Sequence, residues 1–124
     1  LRWARPMFEL AEVIPIERGK RDAGAMKQAL RMLDRGRLLG IFPQGRIERV
    51  PWPMMPFQPG VTTLAYRSGA GVYPAALHGT QRNSSMAGSF LLPHDVKMTH
   101  GPRVDLTGRA EVDTARCFCA VQQL

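Results

Sequence analysis

The stretch that decides the fold of this chain is Leu38-Leu39-Gly40-Ile41-Phe42-Pro43-Gln44-Gly45-Arg46. Residues 38–42 form a short apolar run, which predicts a buried β-strand. Pro43 and Gly45 follow directly, and both residue types favour turns. The sequence therefore predicts a strand that ends in a turn.

A second strand and a helix are predicted ahead of this turn. Val13-Ile14-Pro15-Ile16 is another apolar run that predicts a buried strand. Asp22 offers a helix N-cap, and Gly36 suits the left-handed residue that ends many helices. Between them, one helical stripe is apolar: Met26, Ala29, Leu30 and Leu33. Strand, helix and strand in this order are typical of a parallel crossover. We therefore predict an α/β fold with a mostly parallel sheet and flanking helices.

A proline-rich segment follows the turn. Four prolines fall within residues 50–59, and proline both fixes φ and removes a backbone donor, so this segment is predicted to be a loop. The pattern beyond it predicts a helix at residues 60–68 and a third strand at residues 72–77. Two short strands are predicted at residues 90–92 and 104–106, and a final helix at residues 111–123.

Composition describes a basic globular chain. With 124 residues, 44% hydrophobic and 22% charged, it has the size and balance of one domain, residues 1–124. The formal charge of +7 favours anionic partners. The basic residues are scattered and do not alternate with aromatic residues. They are either an ordinary solvated surface or a binding surface, and for a binding surface an anionic membrane is favoured over nucleic acid.

Cys117 and Cys119 lie two positions apart. On a helix their side chains point about 200° apart, and on a strand they share one face, so neither setting favours a disulfide between them. We interpret them as small apolar residues in a reducing compartment.

Several segments occur in an order that matches one enzyme family. They are Val13-Ile14-Pro15-Ile16-Glu17-Arg18, Ile41-Phe42-Pro43-Gln44-Gly45-Arg46, Phe57-Gln58-Pro59-Gly60 and Val72-Tyr73-Pro74-Ala75-Ala76-Leu77. On these motifs the chain resembles the glycerolipid acyltransferases that acylate lysophosphatidic acid and other lysophospholipids.

The resemblance implies an activity and partners. The enzyme would transfer an acyl group from acyl-CoA or an acyl-carrier protein to the hydroxyl of a lysophospholipid or related glycerolipid acceptor in phospholipid biosynthesis, without a cofactor or metal. It would be membrane-associated on the cytoplasmic face. The alternative is a noncatalytic lipid-binding or membrane-associated domain of the same fold.

The resemblance also implies a site for the phosphate or headgroup of the acceptor. Its residues would be Arg18, Phe42, Pro43, Gln44, Gly45 and Arg46. The usual family block is F-P-E-G-T-R, so Gln44 stands for Glu, Arg46 for Thr and Ile47 for Arg. Gln44 keeps an acceptor oxygen but loses the charge, which leaves the nature of the headgroup open.

No catalytic residue is assigned to this chain. The family's catalytic His, four residues, Asp block should precede Val13, and residues 1–12 contain no His. We therefore expect an N-terminally truncated domain that is inactive by itself. His100 and Asp105 have the right spacing but follow the other blocks, so we predict that they lie away from the acceptor pocket, on an outer strand or loop.

The loop after the turn has two interpretations. It places Trp52, Met54, Met55 and Phe57 between prolines. These apolar side chains could pack as a lid on the domain, or they could contact lipid, since Trp favours the headgroup boundary and Met adapts to acyl chains. We predict that this loop faces the lipid.

Overall fold

The computed structural model describes residues 12–16, 22–45, 54–79 and 95–124. The chain forms two compact units, Leu1–Gly40 and Ile41–Leu124. Some residues and segments named above lie outside the described residues: Glu17, Arg18, Arg46, Ile47, Trp52 and residues 1–11, 50–53 and 90–92.

The first unit contains helix α1, Ala23–Asp34. The Asp22 carboxylate accepts a hydrogen bond from the Ala25 N–H at 2.9 Å, which satisfies one of the unpaired donors at the helix start. At the other end Gly36 has a φ of 71°. Its N–H donates to the Leu33 carbonyl, and the Arg37 N–H donates to the Met32 carbonyl. This is the Schellman pattern, so both predicted ends of the helix are confirmed.

The apolar stripe of α1 is confirmed in part. Ala29 is buried, and Met26, Leu30 and Leu33 are half-buried. These residues therefore form the covered side of the helix, as their spacing predicts.

The two strands predicted on either side of α1 are not formed. Residues 13–16 and 38–42 have no regular structure, and Leu38 is 96% exposed. An apolar run becomes a buried strand only where another strand pairs with it, and no strand pairs with either segment among the described residues. The strand–helix–strand prediction is therefore wrong for this part of the chain.

The second unit contains a two-stranded antiparallel sheet. Strand β1, Ala75–His78, pairs with β2, Lys97–His100, so that Ala75 lies opposite His100 and Leu77 opposite Met98. A single bridge continues the pairing between Val72 and Val104. The structure is mixed α/β, but a mostly parallel sheet is not found in the described ranges, which corrects the predicted fold class.

Two helices complete this unit. Helix α2, Gly60–Ser68, ends at Gly69 as predicted, and helix α3 covers Ala110–Gln122. Thr62 on α2 and Thr114 on α3 place their hydroxyl oxygens 3.3 Å apart. Five buried residues of the unit lie on these helices: Thr62, Leu64, Ala65, Asp113 and Cys117. Pro74, just ahead of β1, is buried as well. The core of the unit is therefore mainly the contact between α2 and α3. No helix in the described ranges is long and apolar enough to cross a bilayer.

Candidate functional site

The predicted acceptor motif forms a tight turn. The Gly45 N–H donates to the Phe42 carbonyl at 3.3 Å. Gly45 has a φ of 69°, in the left-handed region that a residue with a side chain adopts only at a cost. Phe42 is 78% exposed, and Pro43 and Gln44 are half-buried. The glycine of the motif is therefore needed for the backbone of the turn.

The turn is attached to the next motif along the chain. The Gln58 N–H donates to the Pro43 carbonyl at 2.8 Å. An ideal Cβ placed on Gly45 lies 3.7 Å from Cγ of Gln58, which is an ordinary contact distance. The described parts of the two motif segments, residues 41–45 and 57–60, thus lie side by side, just ahead of α2.

Of the six predicted site residues, the structure brings four together in the turn: Phe42, Pro43, Gln44 and Gly45. Arg18 and Arg46 lie outside the described residues, so their convergence on the turn stays a prediction. The expectation that the turn follows a parallel strand is wrong, because residues 38–42 do not pair with another strand.

The described part of the following loop packs on the second unit itself. Residues 54–59 have no helix or strand, as predicted. The Phe57 ring lies edge-to-face against the ring of Phe118 on α3, with centroids 5.3 Å apart. This arrangement is favourable for aromatic pairs. Phe57 therefore packs on α3, as in the first of the two interpretations, in which the loop is a lid on the domain.

The structure describes both His100 and Asp105. His100 is the last residue of β2 and is exposed. Asp105 lies in the segment between β2 and α3, where its carbonyl accepts a hydrogen bond from Arg116 at 3.0 Å. No hydrogen bond or ion pair joins the two side chains in the described part of the chain. Both residues lie on an outer strand or loop, as predicted.

A buried carboxylate was missed by the sequence interpretation. Asp113, in the first turn of α3, has no exposed surface. It accepts hydrogen bonds from the Thr107 N–H at 2.8 Å, the Thr107 hydroxyl at 2.9 Å and the Gly108 N–H at 3.0 Å. The Tyr66 hydroxyl, from α2, donates to it at 2.5 Å. Asp113 therefore links the start of α3 to α2.

This network shifts the pKa values of both partners. Burial alone would raise the pKa of Asp113, but the hydrogen bonds from Tyr66, Thr107 and Gly108 outweigh it and lower that pKa to about 2. Desolvation, with the hydrogen bond to Asp113 and its charge, raises the pKa of Tyr66 to about 12. At neutral pH the pair is thus a carboxylate and a neutral phenol.

One signal for this network was present in the sequence. Thr107 and Gly108 immediately precede a predicted helix with acidic residues in its first turn, and such residues suit the free N–H groups there. The partner Tyr66 had no such signal, because it is 47 positions away from Asp113.

The two cysteines have different environments. Cys117 is buried on α3 and Cys119 is exposed, and both are free thiols. Burial, together with the charge of Asp113, raises the pKa of the Cys117 thiol. The expectation that they do not pair with each other is confirmed. Within the described ranges, no group of three or more His, Cys, Asp or Glu residues could hold a metal ion.

A family model described as Acyltransferase matches residues 1–78. The matched region contains the turn, the following loop, α2 and β1, and it ends at the last residue of β1. No solved structure matches the chain.

Proposed function

The chain belongs to the acyltransferase family, and from this premise we propose that it provides the acceptor-binding part of a glycerolipid O-acyltransferase. The acyl group passes from an acyl thioester, acyl-CoA or acyl-carrier protein, to the free hydroxyl of a lysophospholipid or related acceptor. In this reaction the hydroxyl oxygen forms an ester bond to the acyl carbon, the C–S bond breaks, and the thiol leaves with the hydroxyl proton. The pathway served is phospholipid biosynthesis.

The observation that supports this proposal is the hydrogen bond from Gln58 to Pro43. It joins two family motifs that are separate in sequence, so that they form one surface. Arg46 is the residue after Gly45 in the sequence. A guanidinium at such a position is a planar, permanently charged donor suited to phosphate. We propose that Arg46 and Arg18 bind the acceptor phosphate.

The neutral Gln44 has a role in this proposal. Where the family usually carries Glu, a carboxylate would pair with a neighbouring arginine and compete with the acceptor phosphate. Gln44 competes less strongly, because its amide oxygen accepts hydrogen bonds but carries no charge. The site therefore favours an acceptor with a full phosphate charge.

Residues 1–124 alone are expected to show no acyl transfer. Their one His and Asp pair at the family's spacing is His100 and Asp105, which do not contact each other. General base catalysis requires a base within hydrogen-bonding reach of the acceptor hydroxyl, and in a His and Asp pair the carboxylate orients the imidazole.

The proposed function is tested by acyl transfer with the full-length protein. The substrates are lysophosphatidic acid and acyl-CoA, and the variants are Arg18→Gln and Arg46→Gln. Each lost charge-assisted contact is expected to lower kcat/KM by about tenfold or more, chiefly through KM. Arg35→Gln, at the exposed end of α1, is the matched control and should leave both constants unchanged. Wild-type protein that binds the lipid without transferring the acyl group would support the noncatalytic alternative.

We also propose that the protein associates with the cytoplasmic face of an anionic membrane. The +7 charge supports the electrostatic part of this binding. Exposed apolar side chains next to the turn support the insertion part: Phe42 is 78% exposed, and burying one such side chain contributes about 1.5–3 kcal/mol. Phe57 is already packed on Phe118, so Trp52 and Phe42 are the better candidates for insertion.

Co-sedimentation with phosphatidylserine vesicles at high salt tests this membrane proposal. Trp52→Ser and Phe42→Ser are expected to reduce binding. Tyr73→Ser removes an exposed aromatic residue that belongs to neither the turn nor the loop in sequence, and it should not reduce binding. Equal binding by all four proteins would show that neither the loop nor the turn inserts into lipid.

A further inference from the structure

A cavity of about 340 Å³ opens beside the C-terminal end of α2. Its walls include Tyr66 on α2, Gly71 just beyond the helix, and Arg103 and Asp105 from the segment between β2 and α3. The volume is at the lower end of the range for small-molecule sites. The acceptor turn is attached near the other end of α2, and a nine-residue helix is about 13 Å long. The cavity is therefore separate from that turn.

Two opposite charges line this cavity without pairing. Arg103 and Asp105 are two positions apart on either side of Val104, which is bridged to Val72. Side chains at i and i+2 of an extended segment point to the same side. Neither the Arg103 guanidinium nor the Asp105 carboxylate forms an ion pair or hydrogen bond with any described residue. Both charged groups are thus available to a ligand.

The backbone that carries these two charges is held in place. The Val104 N–H donates to the Val72 carbonyl at 2.9 Å, and Arg116 donates to the Asp105 carbonyl at 3.0 Å. The Arg103 side chain lies across Gly71: an ideal Cβ on Gly71 would be 3.2 Å from its Nε. Because Gly71 has no side chain, Arg103 can lie along the wall of the cavity.

Tyr66 adds a selective acceptor. Its hydroxyl proton is donated to Asp113, so its oxygen can only accept a further hydrogen bond. The cavity thus offers one cation, Arg103, and two acceptors, Asp105 and Tyr66. A simple anion would be repelled by Asp105, and a simple cation by Arg103. A ligand that carries both charges satisfies both groups.

We propose that this cavity binds a small zwitterion that carries an ammonium group and a phosphate, with the phosphate on Arg103 and the ammonium on Asp105. Residues i and i+2 of an extended chain lie about 6.6 Å apart. This span suits a phosphate ester and an ammonium joined by two carbons better than the adjacent charges of an amino acid. Phosphoethanolamine, free or as a lipid headgroup, has this chemistry.

Isothermal titration calorimetry of the full-length protein with O-phosphoethanolamine tests the proposal. Saturable binding is expected. Arg103→Gln and Asp105→Asn should each weaken it by about tenfold or more, since each removes a charge-assisted contact. Gly71→Ala should also weaken it without changing any charge, because the added methyl group lies 3.2 Å from Nε of Arg103 and 3.1 Å from Cε2 of Tyr73, so both side chains have to shift. Arg109→Gln and Asp95→Asn are matched exposed controls that leave binding unchanged, and thermal unfolding verifies that every variant is folded.

Other ligands distinguish a zwitterion site from a site that binds any anion. Phosphocholine should bind less tightly, because its quaternary ammonium has no N–H to donate to Asp105. Glycerol 3-phosphate should bind less tightly because it has no cation. If glycerol 3-phosphate binds as tightly as phosphoethanolamine and Asp105→Asn strengthens it, the cavity is an anion site and the proposal is overturned. Absence of saturable phosphoethanolamine binding overturns it as well.

Vesicles distinguish the source of the ligand. If phosphatidylethanolamine vesicles compete with O-phosphoethanolamine and phosphatidylcholine vesicles do not, the ligand is a lipid headgroup. If neither kind of vesicle competes, the ligand is the free zwitterion. None of these measurements uses acyl transfer, so failure of this proposal and failure of the proposed function remain distinguishable.

Discussion

The Tyr66 hydroxyl donates to Oδ2 of Asp113 over 2.5 Å, and this contact joins α2 to α3. Asp113 has no exposed surface, yet it keeps its charge because Tyr66, Thr107 and Gly108 all donate to it. A buried carboxylate with a full set of donors stabilises the fold, whereas one that loses its donors or its charge does not. The contact between the two helices therefore depends on the ionisation of this pair.

Stability should fall in acid through Asp113. Its pKa in the folded protein, about 2, is below the ordinary value of 3.8. The contribution of this group is therefore fully present above pH 3.8 and is lost as the pH falls toward 2. Asp113→Asn should lower Tm at pH 7 by several degrees and flatten the decline of Tm between these two pH values. Glu111→Gln, an exposed acidic residue in the same helical turn, is the control and should change neither.

Stability should also fall in alkali, through Tyr66. Its pKa in the folded protein is about 12, above the ordinary value of 10.0. Its contribution is therefore present below pH 10 and is lost as the pH rises toward 12. Tyr66→Phe should remove this part of the alkaline decline in Tm, while Tyr73→Phe, an exposed tyrosine, should keep it. An unchanged alkaline decline in Tyr66→Phe would contradict the assigned shift.

Gly45→Ala should weaken the acceptor turn. The cost of a left-handed φ for a residue with a Cβ is about 1–2 kcal/mol, and the new methyl group itself meets only an ordinary contact with Gln58. The free energy of unfolding should fall by this amount, and KM for the acceptor should rise. Gly45→Asn should cost less, because Asn tolerates this conformation. Gly40→Ala, where a Cβ meets nothing within 4 Å, is the control.

Phe57 and Phe118 should show a measurable coupling energy. A double-mutant cycle with Phe57→Leu and Phe118→Leu should give about 0.5–1.5 kcal/mol in the free energy of unfolding, the range for aromatic pairs in this geometry. The same cycle between Phe57 and Val112, an exposed residue on α3, should give a coupling near zero. Additive effects of the two Phe substitutions would show that the rings do not interact in solution.

The two thiols should react at different rates. Cys119 is exposed, whereas Cys117 is buried and has a raised pKa, and the thiolate is the reactive form. Titration of the folded protein with a disulfide reagent should therefore show one fast and one slow thiol. Cys119→Ser should remove the fast phase and Cys117→Ser the slow one. Two equal rates in the wild type would contradict this assignment.

Local signals in the sequence identified the helices and the turn. Asp22 and Gly36 mark the ends of α1, Gly69 marks the end of α2, and the Pro-Gln-Gly sequence marks the turn. Each of these features depends on residues within a few positions of one another, so the residue types determine them. The motif order also identified the family, since the arrangement of short segments is itself a property of the sequence.

Tertiary structure alone decided the pairing of strands and the buried charge network. An apolar run such as residues 38–42 forms a strand only if another strand pairs with it, and the run itself does not specify that strand. β1 does have such a partner, because it pairs antiparallel with β2. Tyr66 and Asp113 meet only because α2 packs on α3. The cavity beside Arg103 and Asp105 depends likewise on Gly71 lying against Arg103. Contacts between residues distant in sequence follow from packing, and a local pattern does not encode that packing.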